Sequence, residues 1–254
     1  MPPHQPDPVR SLSLLWGAPP RPGRSGLTLA AVVAAATELA DTRGLAAVSM
    51  RQLAGTLGIG TMSLYSYVPG REELVELMAD GVWRDLYTGL DEPSAQGGWR
   101  EGLRFVVDRN WAVLTTHPWM TELSGARPVL GPHLSDKYEA ELRVLDGIGL
   151  SDVEMDSVLG LVTAHTEATA RMWHAQRSTI QDSGESDLQW WQEIAPVLQR
   201  LMPAGRYPVA DRVGRAAGEF HQAAAGAEHA LRFGLDRILD GVRILIEGAA
   251  DRDD

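Results

Sequence analysis

The sequence predicts an all-α fold, and three observations carry that reading. Apolar residues recur at three- and four-residue spacing from residue 28 almost to the end. Capping boxes stand ahead of three such runs: Ser49 with Gln52, Ser151 with Glu154 and Ser186 with Gln189. No stretch alternates apolar and polar residues as a half-buried strand does.

Residues 1–26 contain Pro2, Pro3, Pro6 and Pro8 without helical periodicity, so a flexible arm is expected there. Next, Leu29, Val32, Val33, Ala36, Leu39 and Ala40 form one helical face. Thr28 is placed to cap its start, and Gly44 to end it in a left-handed conformation. Ser49 opens a short helix with Leu53, Ala54 and Leu57 inward, closed by Gly58. A third helix is expected from Thr61, capped by Gly60, to a stop before Pro69, with Leu64 and Val68 on its core side. A helix over 71–88 then carries Leu74, Leu77, Met78, Val82 and Leu86 on its apolar face. The Pro- and Gly-containing break at 92–98 separates an N-terminal domain (27–90) from a larger helical domain (91–254).

In the second part, Leu103, Val106, Val107, Trp111 and Leu114 lie on a stripe that ends at His117-Pro118. Pro132 opens a helix with Leu134, Tyr138, Leu142 and Leu145 inside. Ser151 starts one of about thirty residues, running to Gln181. Ser186 precedes the Trp190-Trp191 pair. A last helix over 226–248 aligns Leu231, Leu235, Ile238, Val242 and Leu245.

Composition narrows the function. The chain has no cysteine, which excludes disulfides and thiol chemistry and suits a reducing cytoplasm. No run approaches the roughly 18 apolar residues of a membrane helix. The net charge is −11, yet residues 1–71 hold six arginines against Asp7, Glu38 and Asp41. A small positive head on an acidic body follows, suited to a nucleic-acid partner because phosphate neutralisation is local.

The segment Val48–Arg71 reads helix, glycine turn, helix. Thr61 and Ser63 can bond base edges or phosphate, and Met62 can pack on a thymine methyl. Tyr65 and Tyr67 reach far enough for phosphates. Arg51 is the candidate for a bidentate guanine contact, and Arg71 for a phosphate. Thr28 joins this set at the head's first helix. The plainer alternatives are a half-buried aromatic at Tyr65 and a solvated charge at Arg51.

These residues resemble the DNA-binding head of the TetR family of bacterial transcriptional repressors. The resemblance rests on Ser49-Met50-Arg51-Gln52-Leu53-Ala54, Leu57-Gly58-Ile59, Leu64-Tyr65, Tyr67-Val68 and Arg71 to Leu74. His117-Pro118-Trp119, Arg127-Pro128, Gly131-Pro132 and Phe233-Gly234-Leu235-Asp236 resemble the C-terminal domain of its tetracycline-repressor branch. The family implies a homodimer on double-stranded DNA that responds to a small-molecule effector, with the dimer interface on about 152–178 and 226–247. Arg51 matches the position of a base-contacting arginine. The recognition helix carries no Lys or Arg, so Arg21 and Arg24 of the arm are expected to add phosphate contacts.

For the effector, Trp111, His117, Trp119, Met120, His165 and Trp173 are the expected walls, with His174 and Trp190 nearby. Tryptophans on helix stripes are more often core than ligand wall. Leu123 and Ser124 stand where the tetracycline repressor has its magnesium-associated histidine, so a different, apolar effector and no metal are expected. No cofactor motif, glycine-rich phosphate loop, nucleophile elbow or His-Glu-x-x-His pair occurs, so an enzyme is not expected. The rival reading is a helical dimer that binds a small molecule or a protein and no longer reads DNA. The expected function is a repressor that binds a palindromic operator as a dimer and is released by its effector; activation is the third reading, which the sequence does not decide against.

Overall fold

The computed structural model describes residues 8–17, 26–123, 128–203, 205–221 and 226–250, and among them every regular element is helical. Arg21, Arg24, Ser124 and Arg127 lie outside the described residues. The expected arm is not wholly irregular, because Pro8–Trp16 forms a helix (α1). Proline is tolerated at a helix start, where its missing N–H costs no bond, and Leu14 and Leu15 are half-buried on this helix. The helix packs along α5 (Arg71–Gly81), and the Trp16 indole donates to Leu130 O at 2.7 Å.

The head consists of α2 (Leu29–Arg43), α3 (Met50–Thr56), α4 (Thr61–Leu64) and α5. Its starts follow the expected capping chemistry. Thr28 Oγ1 accepts from Ala31 N at 3.1 Å, and Ser49 Oγ from Gln52 N at 3.2 Å. The reciprocal half of that second box is missing, because the Gln52 amide reaches Ala47 O and the Arg43 guanidinium instead. Gly58, at φ +66, makes the reversal between α3 and α4, a conformation strained for any side chain. Gly44 ends α2 at φ +79 and ψ 160, a positive φ but not a left-handed helical residue. Leu53, Leu64, Val68, Leu74 and Met78 are wholly buried in this core, each contributing roughly 1.5–3 kcal/mol by leaving water.

Helix α5 stops seven residues short of the expected end, and turns lead to α6 (Trp99–Thr116). A four-residue α7 (Met120–Leu123) follows, then α8 (Pro132–Leu142) and α9 (Asp152–Ser183). Both halves of the Ser151–Glu154 box form at the start of α9, and Gly184 caps its end at φ +74. At about 1.5 Å per residue this helix is close to 48 Å long. The Ser186–Gln189 box forms fully ahead of α10 (Asp187–Leu201). Next comes α11 (Pro208–His221), and α12 (Ala227–Ala250) ends the described chain.

α6, α9 and α12 enclose the second core, built on Leu103, Val107, Leu145, Leu231, Leu235 and Leu239. Neither α10 nor α11 supplies a side chain to either core. The face of α8 differs from the expected stripe: Tyr138 is exposed, whereas Lys137 and Glu141 are buried. They pair at 2.7 Å, which makes two charges tolerable inside.

Candidate DNA-reading head and ligand cavity

The recognition helix α4 is a single turn started by Gly60, so its outward side chains are few and well defined. Met62 is 82% exposed and Tyr65 45%, with Ser63 and Ser66 beside them and Thr61 half-buried. Arg51 on α3 is exposed too. These residues form one polar, partly aromatic surface ahead of a rigid core, as base reading requires. Thr28 spends its hydroxyl oxygen on the cap of α2.

Two of the residues expected at the DNA are placed differently from Met62 and Tyr65. Tyr67 is 7% exposed and belongs to the head's core, facing away from Tyr65. Residues two apart on a helical turn point to different sides. Arg71 reaches inward: Nε donates to Val48 O at 2.7 Å and Nη2 to Leu45 O at 2.9 Å. It clamps α5 to the turn before α3, which fixes the reading helices.

A cavity of about 390 Å³ lies between head and body. Val75, Glu76, Ala79 and Trp83 line it from α5 and the turn after it. Asn110 and Leu114 of α6, Met120 and Leu123 of α7, Leu134 and Lys137 of α8, and Thr163, Thr166 and Glu167 of α9 complete it, with Pro128 and Val129. Of the expected effector walls, Met120 alone is on this surface.

Each of the others has another placement. Trp119 is fully buried in the head's core, and its indole donates to Asp41 Oδ1 at 2.7 Å. His117 Nδ1 lies 2.8 Å from the same oxygen, so it carries the proton and donates too. Trp111 and Trp173 meet edge-on at 6.3 Å, and the Arg177 guanidinium lies over Trp173. His165 Nε2 donates to Leu231 O at 3.0 Å, holding α9 to α12 where Gly234 leaves room for its ring. His174 donates to Leu114 O at 2.8 Å, and Trp190 is exposed on α10.

Beside the cavity, Glu141 gathers three donors: Lys137 Nζ at 2.7 Å, Asn110 Nδ2 at 2.7 Å and Tyr87 Oη at 2.8 Å. Burial first, then the Glu141 charge, push the Tyr87 phenol well above its ordinary range. Lys137 also sits 5.1 Å over the Trp83 ring. Asp80, on α5, accepts from Leu134 N at 2.9 Å and so caps α8 across the interface. Sequence spacing gave one usable hint of this network, the i,i+4 pair Lys137–Glu141; Asp80, Asn110 and Trp83 carried no signal. Among the described residues, no group of three potential metal ligands forms and no helix is long and apolar enough to cross a membrane.

A compact helix-turn-helix head joined to a helical body with an interior cavity defines a ligand-responsive, DNA-binding transcriptional regulator. The comparisons agree. Residues 32–78 match the model of bacterial regulatory proteins, tetR family, and residues 92–246 that of the tetracyclin repressor-like C-terminal domain. The chain belongs to the tetR family of bacterial regulatory proteins. It is 37% identical over 243 residues to the HTH-type transcriptional repressor DrrR1 of Streptomyces coeruleorubidus, covering 94% of this chain and 87% of that protein. It is similar to apo ActR from Streptomyces coelicolor, with a TM-score of 0.68 at 25% identity, over 89% of this chain and 98% of that one. ActR in complex with (S)-DNPA gives 0.67 at 25% identity, over 86% and 98%. The protein is accordingly a repressor of the ligand-responsive, helix-turn-helix kind.

Proposed function

We propose that the protein binds a palindromic operator as a homodimer and is released when a small effector with a largely apolar body occupies the cavity between head and body. The observation that carries this reading is the shared wall. α5 is rooted in the head's core through Leu74 and Met78 and lines the cavity through Val75, Glu76, Ala79. α7 lines it through Met120 and Leu123, directly after Trp119, which is bonded to Asp41 of α2. Any ligand that moves α5 or α7 therefore moves the supports of the recognition helix.

One turn of helix reads only a few base pairs, so two heads on a two-fold body are needed, spaced about one DNA turn, roughly 34 Å, apart. Val153 and Leu161 on α9, with Phe233 and Ile244 on α12, are apolar, exposed and off the core face. They suit the second copy's α9 and α12. The effector acts by population shift: it favours the arrangement it fits better, and releases DNA in proportion to that difference. The structure of the similar protein ActR in complex with (S)-DNPA supports a ligand-binding role for this body.

The test is binding to labelled DNA from upstream of its own gene at two salt concentrations, with sedimentation measured alongside. Sequence preference, weaker binding at higher salt and a dimer are expected. Binding that ignores both sequence and salt would favour the adaptor reading instead.

A further inference from the structure

We propose that the effector carries a protonated amine with at least one N–H, and that Glu76 receives it. This rests on the cavity being the effector site. Glu76 projects from the middle of α5 into the cavity wall, and its Oε2 is buried with no protein donor reaching it. A carboxylate oxygen removed from water without a donor is unfavourable, so the surface there is complementary to something that brings a donor, best a charged one.

The charges around it point the same way. Glu167 adds a second carboxylate to the lining, with Arg171 no nearer than 3.9 Å. The ammonium on the wall, Lys137, is matched by Glu141 at 2.7 Å and lies over Trp83. Asp80, one turn along α5 from Glu76, is committed to the amides of α8. The described lining thus presents an excess of negative charge in apolar surroundings: Val75, Ala79, Leu114, Met120, Leu123 and Val129. An apolar body with one ammonium group fits both features. An anion would face two carboxylates, and a neutral molecule would leave the Glu76 oxygen unmatched.

The probes are 1-pyrenemethylamine and its neutral counterpart 1-pyrenemethanol, titrated into the full-length protein and followed by energy transfer from tryptophan. The amine should bind at least about tenfold more tightly than the alcohol, as a charge-assisted hydrogen bond in a buried site implies. Glu76→Gln should bring the two within about twofold by weakening only the amine, while Glu167→Gln keeps most of the difference. Thermal unfolding checks that each variant is folded. Thr163→Phe, which fills the cavity from α9, should abolish binding of both probes. Equal affinities in the parent protein, or a preference that survives Glu76→Gln, would overturn the role of Glu76. Binding that survives Thr163→Phe would instead remove the cavity as the effector site, a distinct failure.

Discussion

Replacing Asp41 tests how the head is held to the body. One oxygen, Oδ1, accepts from the Trp119 indole at 2.7 Å and from His117 at 2.8 Å. Trp119 is fully buried, so in Asp41→Ala its N–H is left without a partner, at about 1–3 kcal/mol. The His117 ring is one-fifth exposed and can turn to water, so it adds only about 0.5 kcal/mol. The expected loss is about 1.5–3.5 kcal/mol. In Asp41→Asn the amide oxygen still accepts both bonds, now without charge assistance, and the cost falls to about 1 kcal/mol. Urea unfolding followed by tryptophan fluorescence measures both, with the slope checking that the transition remains two-state. Operator affinity should fall in the same order, because the bridge positions the head. A folded Asp41→Ala protein within about 0.5 kcal/mol of the parent would refute the reasoning, since packing alone would then hold Trp119.

Arg51→Ala and Met62→Ala should each weaken operator binding about tenfold, or about 1.4 kcal/mol, with an unchanged unfolding midpoint. Tyr67→Ala should instead cost about 3–5 kcal/mol of stability, so calorimetry distinguishes a core tyrosine from a DNA contact. At Gly131 a methyl group would stand 2.3 Å from the Asp80 carboxylate that caps α8. Gly131→Ala should therefore lower the melting temperature by several degrees and weaken probe binding in the cavity. Tyr87 sets an alkaline limit. Its contribution is fully present below the ordinary phenol value of 10.0 and is lost as pH rises toward the raised folded value. Tyr87→Phe should flatten the fall in urea stability above pH 10, and an unchanged slope would count against the Glu141 cluster.

Much of the helical frame was legible because it rests on local chemistry. Thr28, Ser49, Ser151 and Ser186 each accept the amide that their sequence positions implied. Gly58 and Gly60 mark the turn and the start of the reading helix as expected. What failed was long-range pairing. Tyr138 was expected inside with Leu134, yet it is exposed and the Lys137–Glu141 pair takes the buried side of the helix, each charge neutralising the other. Trp119 looked like a ligand wall because nothing local shows that its partner stands 78 residues earlier. Arg71 likewise spends its guanidinium on carbonyls 23 and 26 residues back. The burial of Tyr67 was legible, since its two-residue offset from Tyr65 places the two phenols on different sides.

The burial of Trp119 in the head's core has a consequence for anyone recombining these proteins. A fragment cut after residue 90 would fold around a hole the size of an indole, with Asp41 facing nothing. A chimaera that joins this head to another member's sensor must carry residues 117–120 with it, or supply a matching tryptophan from the new body. The boundary between the two domains read from the sequence is therefore not a modular joint: the sensor lends the reader a piece of its interior.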